Sequence, residues 1–162
     1  MPGRILLVLL LLVQLCACRQ AEAVSGRVTW VYDGDTIEVE HIGRVRLLGI
    51  DAPEAEASDR DRFYRHRFKI SPATLRTVAR QAGQFVIRHS RNQIVRLEFD
   101  RERTDQYERT LAYVYLPDGR LLNQLLVEEG LAAVFRRAEF ELKDQFLAAE
   151  DKARNQKRGL WR

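Results

Sequence analysis

Between Gly26 and Ile50 the chain passes through three strand-like stretches separated by turns with room for little more than a reversal of direction. "RVTWVY" (27–32) alternates and is rich in β-branched and aromatic residues, "DGD" (33–35) turns the chain, and "TIEVEH" (36–41) returns it. Ile42-Gly43 turns it again into "RVRLLGI" (44–50). Strands joined this tightly lie side by side and antiparallel, since a parallel connection needs a long crossover. The fold therefore opens with a meander. At its first turn, Asp33-Gly34 is expected to supply the positive φ of a hairpin, leaving Asp35 at the head of the second strand.

Beyond "DAPE" (51–54), the segment "AEASDRDRFYRHRFK" (55–69) has no clean period and reads as a charged loop. Ser71-Pro72 then signals a helix start, with Ser71 as cap and Pro72 at the first helical position. Leu75, Val78, Ala79, Ala82, Phe85 and Val86 mark the apolar face of that helix. "QIVRLEF" (93–99) and "RTLAYVYL" (109–116) are two more strands. "LLNQLLVEEG" is a short helix stopped by Gly130, and a last helix is expected from about Glu139 to Gln156. Strands in the order three, helix, two, followed by helices, match an α+β fold, a five-stranded Greek-key β-barrel of OB type with about three helices, although periodicity alone permits other α+β arrangements until the motifs below are read. At 162 residues the chain suits one such domain, over 24–162.

Residues 1–23 are of another kind. One positive charge at Arg4 precedes the short uncharged run "ILLVLLLLV" (5–13), too short to span a bilayer comfortably. A basic start, an apolar centre and a small-residue exit describe an export signal. Two exits stand open: "AEA" (21–23) suits an ordinary signal peptidase, and "LCAC" (15–18) resembles a bacterial lipobox with Cys18 lipidated. An extracytoplasmic location follows from either, in the periplasm, on the envelope or outside the cell, with membrane attachment if Cys18 is acylated. Both cysteines fall in this segment, so the domain beyond it holds no disulfide, no thiolate zinc site and no thiol nucleophile.

Four acids, Asp33, Asp35, Asp51 and Glu54, crowd around Arg44 and Arg46, more than turns require. A carboxylate at the head of a barrel strand needs a partner, either a metal ion or an arginine. Ala52-Pro53 stiffens the corner that carries Asp51 and Glu54. Stiff carboxylates and a backbone carbonyl suit a hard cation such as Ca²⁺, here through Asp35, Asp51 and the carbonyl of Ala52. Glu54 would then orient or deprotonate a water. Arg46 and Arg109 are candidate donors to the oxygens of a phosphodiester as charge develops on them. One difficulty is parity: Arg46 and Asp51 would point to opposite faces of an unbroken strand, so either Gly49 marks a bulge or Asp51 lies past the strand's end.

"VYDGDT", "VRLLGIDAPE" and "RTDQYERTLAYVYLPDG", in that order and closed by "RGLW", resemble the signature blocks of the staphylococcal nuclease (thermonuclease) family over about residues 24–161. The resemblance implies an OB-fold barrel that hydrolyses DNA and RNA with Ca²⁺. It carries the metal role onto Asp35, Asp51 and Ala52, the general base onto Glu54, and transition-state donors onto Arg46 and Arg109. It places Asp105 and Tyr107 in a nucleotide-contacting loop. Two departures stand out: Gln106 replaces a lysine, and "FRR" (135–137) replaces a pair of tyrosines, turning Arg136 and Arg137 into candidate phosphate contacts. No protein partner is implied, and a monomer is expected. The net charge of +4 accords with an anionic substrate. Two rival readings are a non-catalytic nucleic-acid-binding module and a structural envelope lipoprotein. Neither explains carboxylates that would repel phosphate.

Overall fold

A computed structural model describes residues 23–162; the expected export signal up to residue 22, with Cys18, lies outside the described residues, and Ala23 belongs to β1. The strands are β1 (Ala23–Val31), β2 (Thr36–Val39), β3 (Gly43–Leu47), β4 (Ile50–Asp51), β5 (Ile94–Glu98), β6 (Thr110–Tyr115) and β7 (Ala133–Val134). Five of them close into a barrel in the order β1–β2–β3–β6–β5, while β4 and β7 form a separate pair. Every barrel contact is antiparallel except β3 on β6, where Val45 lies level with Thr110 and Leu47 with Ala112. That parallel pair is the crossover that turns a meander into the expected Greek key.

Val28, Ile37, Val45, Leu97 and Val114 are fully buried inside the barrel. Helix α2 (Pro72–Ser90) packs beside it, started as expected: the Thr74 amide donates to Ser71 Oγ at 3.1 Å, ahead of a proline in the first turn. Leu75, Val78, Ala79, Ala82 and Val86 of its apolar face are buried, and Phe85 is half-buried. Helices α3 (Leu122–Glu128) and α4 (Lys143–Asn155) and a 3-10 turn (Gly159–Trp161) complete the far side.

Two expectations need correction. The segment 55–69 is not a loop throughout, since it contains helix α1 (Arg60–Phe68). Its buried side chains are Asp61 and Tyr64, so no apolar stripe announces it. The first turn is also built differently: the left-handed backbone falls at His41 (φ 63°) and Gly43 (φ 91°) in the second turn, not at Asp33 or Gly34. Gly34 is required by space instead. A Cβ there would stand 2.6 Å from the Ala82 Cβ and 2.8 Å from the Ala52 Cβ, wedged between α2 and the corner after β4.

Candidate active site

Asp35 sits immediately before β2 and is only 6% exposed. Its carbonyl accepts from the Leu47 amide at 2.8 Å, which fixes it opposite the end of β3. Its carboxylate is held on both oxygens. Oδ1 accepts from Thr36 Oγ1 at 3.2 Å and pairs with Arg46, and Oδ2 accepts from the Ala52 amide at 2.7 Å.

The parity difficulty is resolved by a break in the chain. Strand β3 stops at Leu47, Gly49 takes φ +80°, and Asp51 starts afresh in β4, paired with Ala133 of β7. The fully buried Asn123 braces that break, its Nδ2 donating to the carbonyls of Leu48 at 2.9 Å and Ala112 at 3.1 Å. A side chain at Gly49 would strike the Phe140 ring at 2.6 Å. Asp51 is thus lodged past the strand end, where Arg46 Nη2 lies 3.3 Å from its Oδ1. Arg46 therefore bridges the two aspartates.

Two further residues hold Asp51, and sequence reasoning missed both. The Tyr64 hydroxyl, in a side chain 1% exposed, donates to the Asp51 carbonyl at 2.8 Å and to Oδ2 at 3.0 Å. Arg60 pairs with the same Oδ2. Both come from α1, where Arg60, Tyr64 and Phe68 recur at i, i+4 and i+8, a helical spacing that was there to be read beneath the charge.

Burial drives the Asp51 carboxyl above the ordinary range, against the opposing pull of Arg60, Arg46 and the Tyr64 hydroxyl. Asp33, whose Oδ1 accepts from the Asp35 amide at 2.9 Å, is raised to about 6, first by burial and then by the charge of Asp35. Arg46 is the counterweight: burial works against its charge, but Asp35 and Asp51 outweigh this and hold it firmly protonated. Asp33, left as a turn residue by the sequence, is electrically part of the cluster.

Glu54 stands at the rim with an exposed side chain. Its carbonyl accepts from Arg76 Nη1 at 2.8 Å, and Arg76 is itself paired with Asp61 of α1. Arg109 immediately precedes Thr110, which is level with Val45, so it arrives on the strand next to Arg46. Asp105 orients it, with Oδ2 accepting from Nε at 2.8 Å and Oδ1 from the amides of Tyr107 and Arg109 at 2.9 and 3.0 Å. Tyr107, 69% exposed, has the Arg109 guanidinium 5.3 Å from its ring centroid. Arg136 and Arg137 part company. Arg136 pairs with the fully buried Glu150, whereas Arg137 is exposed.

Whether the cluster suits a metal ion is a matter of donor chemistry and charge. Among the described residues no three His, Cys, Asp or Glu side chains are arranged to hold an ion on their own. The donors at the Asp35–Asp51 corner are all oxygen, with no sulfur or imidazole, which is the preference of a hard cation that completes its shell with carbonyl, water or phosphate oxygen. Three carboxyl groups, Asp33, Asp35 and Asp51, stand against the guanidiniums of Arg46 and Arg60, and a cation there would oppose the burial that pushes Asp33 and Asp51 toward neutrality. The residues fit such an ion.

A closed five-stranded barrel with acids and an arginine joined on its outer face, flanked by a loop offering tyrosine and arginine, defines the architecture of an OB-fold nuclease. Residues 44–162 match the family model described as staphylococcal nuclease homologue. The chain is 35% identical over 146 residues to a thermonuclease of Staphylococcus hyicus, covering 87% of this chain and 78% of that one. A thermonuclease of Staphylococcus intermedius is 42% identical over 112 residues, 67% of this chain and 58% of its own. An uncharacterized endonuclease of Escherichia coli is 36% identical over 141 residues, 85% and 77% of the two chains. The chain belongs to the staphylococcal nuclease family.

Proposed function

We propose that the protein is a Ca²⁺-dependent nuclease that hydrolyses phosphodiester bonds of DNA and RNA outside the cytoplasm. The observation that carries this reading is the junction of Asp35, Arg46 and Asp51, buried together on the outer barrel face of a chain whose relatives are thermonucleases. Carboxylates placed there oppose simple phosphate binding, and a hard cation reverses their sign.

Asp35, Asp51 and the Ala52 carbonyl would hold the ion, which supplies positive charge against the phosphate and lowers the pKa of water. Glu54 accepts the proton of the attacking water from the rim. Arg46, locked in place by two carboxylates, presents its remaining donors to the non-bridging oxygens. Arg109, held by Asp105, approaches from the neighbouring strand, and Tyr107 contacts the nucleotide. Donors fixed beforehand stabilise the growing charge without reorganising at the moment of reaction.

Plasmid DNA and RNA incubated with the purified protein should be cut with Ca²⁺ present and left whole in excess EGTA, and Asp35→Ala should remove activity in both cases. Undiminished cleavage in EGTA refutes the metal assignment. For location, we propose export through the segment before β1. A lipidated Cys18 would be joined to Ala23, the first residue of β1, by four residues, Arg19 to Glu22. Mass spectrometry of the mature N-terminus decides between acylated Cys18 and a free Val24, and an intact Met1 refutes processing.

A further inference from the structure

The outer face of the barrel carries two aromatic side chains for which the chemistry above has no use. Simple alternation along β1 would send Trp30 to the same side as Val28, into the core. An extra residue lies between the pairs Val28–Val39 and Trp30–Glu38, and past it Trp30 points outward, 52% exposed. Bulges re-aim side chains in this way and are common beside active sites. Tyr32, two residues on, is 45% exposed.

Single exposed aromatics need no explanation. These two are neighbours, and each carries an arginine: Arg91 lies 5.2 Å from the indole centroid, and Arg44 lies 4.4 Å from the Tyr32 ring centroid. The register sets Trp30, Glu38 and Arg44 in one row across β1, β2 and β3. Arg46 follows Arg44 on the same face of β3, about 7 Å along at ordinary strand rise. Tyr32 leads directly into Asp33 and Asp35. The acid–arginine cluster is thus flanked by Tyr107 and Arg109 on one side and by Tyr32 and Trp30 on the other. Glu38, the acid in the row, accepts the Tyr32 hydroxyl at 2.9 Å and sets the tilt of that ring.

We propose that Trp30, Tyr32, Arg44 and Arg91 form a stacking subsite for a single-stranded segment of the nucleic-acid substrate, across the scissile phosphate from Tyr107. The inference rests on the nuclease reading. Aromatic faces accept any base, guanidiniums stack on bases or pair with phosphates, and unstacked single strands offer both.

Trp30 and Trp161 are the tryptophans of the chain, so Trp161→Phe isolates the signal of Trp30. In excess chelator, an oligothymidylate of roughly eight nucleotides should quench Trp30, and a dinucleotide should not. Trp30→Ala and Tyr32→Ala should each weaken binding of the longer oligonucleotide by about 5- to 150-fold, the stacking contribution of one base. Trp30→Phe and Tyr32→Phe should keep most of the affinity, and Tyr32→Phe separates the ring from its hydrogen bond to Glu38. Equal melting temperatures would show that the folds are intact. If Tyr32→Ala alone unfolds, the Trp30 pair decides. Unchanged oligonucleotide affinity in the double alanine variant, with plasmid still cut by the wild type, overturns the subsite and leaves the nuclease standing. A wild type that neither binds nor cuts overturns both. A Trp30 emission that shifts with anionic phospholipid vesicles but not with oligonucleotide gives this face to a membrane surface and also overturns the proposal.

Discussion

Tyr64→Phe deletes one oxygen atom and tests whether α1 is a working part of the acid cluster. The ring stays, with its edge contact to Phe63 and its tilted contact to Phe68 at centroid distances of 5.7 and 6.1 Å, so packing is nearly unchanged. What disappears is a donor to the Asp51 carbonyl at 2.8 Å and to its Oδ2 at 3.0 Å. Arg46 and Arg60 remain paired with that carboxylate, while the Asp51 carbonyl loses the Tyr64 donor. Arg46 reaches Oδ1 at a long 3.3 Å, and Arg60 has a side chain 41% exposed, where solvent screens its charge. A hydrogen bond to a charged group contributes ~1.5–3 kcal/mol, and an acceptor stranded in a buried place loses about that much. With a urea m-value near 2 kcal/mol/M, the unfolding midpoint should fall by roughly 0.75–1.5 M without a change in slope. Urea titration followed by tryptophan fluorescence measures this directly. Binding of a luminescent lanthanide at the Asp35–Asp51 corner should weaken in the same variant, because Asp51 loses its fixed orientation. A midpoint shift under about 0.25 M, or about 0.5 kcal/mol, with unchanged lanthanide affinity would mean that Asp51 is held by Arg46 and Arg60 without help from the Tyr64 hydroxyl.

Other outcomes follow from the same contacts. Arg109→Lys keeps the charge but loses the planar fork that Asp105 orients, so kcat on plasmid should drop by about 10²–10³, and a variant retaining more than roughly a third of kcat removes Arg109 from the transition state. Arg136→Ala should lower stability, by less than the ~3–5 kcal/mol of a fully orphaned buried ion because Arg154 remains 3.1 Å from Glu150. Arg137→Ala should leave the melting curve alone and reduce the salt slope of oligonucleotide binding by about one. Asp100→Asn gives a signed pH test: burial works to raise that carboxyl, but the amides of Glu141 and Arg101 and the Tyr113 hydroxyl outweigh it and hold the group below its ordinary value. Its stabilisation is therefore present above the ordinary carboxylate pKa and lost as pH falls through the lowered one. The stability gap between wild type and variant should close in acid, and a gap that widens there refutes the assignment.

The barrel was legible because its strands, apart from the bulge in β1, obey a two-residue period with the core on one side. Ile37, Val39, Val45, Leu47, Val95 and Leu97 all alternate into the interior. Helix α2 was legible from a cap and a stripe. Asp35 and Asp51 could be marked as acids in need of partners, but not joined, because their union depends on the chain breaking at Gly49 and on Asn123 bracing the break from 75 residues away. The fate of Arg136 was hidden for a similar reason: Glu150, fourteen residues on, looks like any helix-surface acid until α4 turns it inward against β7. Gly34 shows the reverse error, a correct residue given the wrong reason, since Asp-Gly suggests a backbone need where the true one is room for Ala52 and Ala82.

Helix α1 is the instructive failure. Pattern reading finds helices by the apolar face they bury, and it rests on the assumption that a helix is kept for its contribution to the core. This one buries Asp61 and Tyr64 and shows most of its other side chains to water. Its inward face is spent on charge: Arg60 and Tyr64 hold Asp51, while Asp61 holds Arg76, which in turn holds the carbonyl of Glu54. Without it, Arg46 would face Asp33, Asp35 and Asp51 alone, and burial already pushes Asp33 and Asp51 toward their neutral forms. A neutral Asp51 is a poor ligand for a hard cation and a poor anchor for Arg46. The segment that looked least like structure is therefore the one that opposes the neutralisation of Asp51 and holds the rim carboxylate's backbone in place. Its arginines are a consequence of the site rather than decoration of a loop.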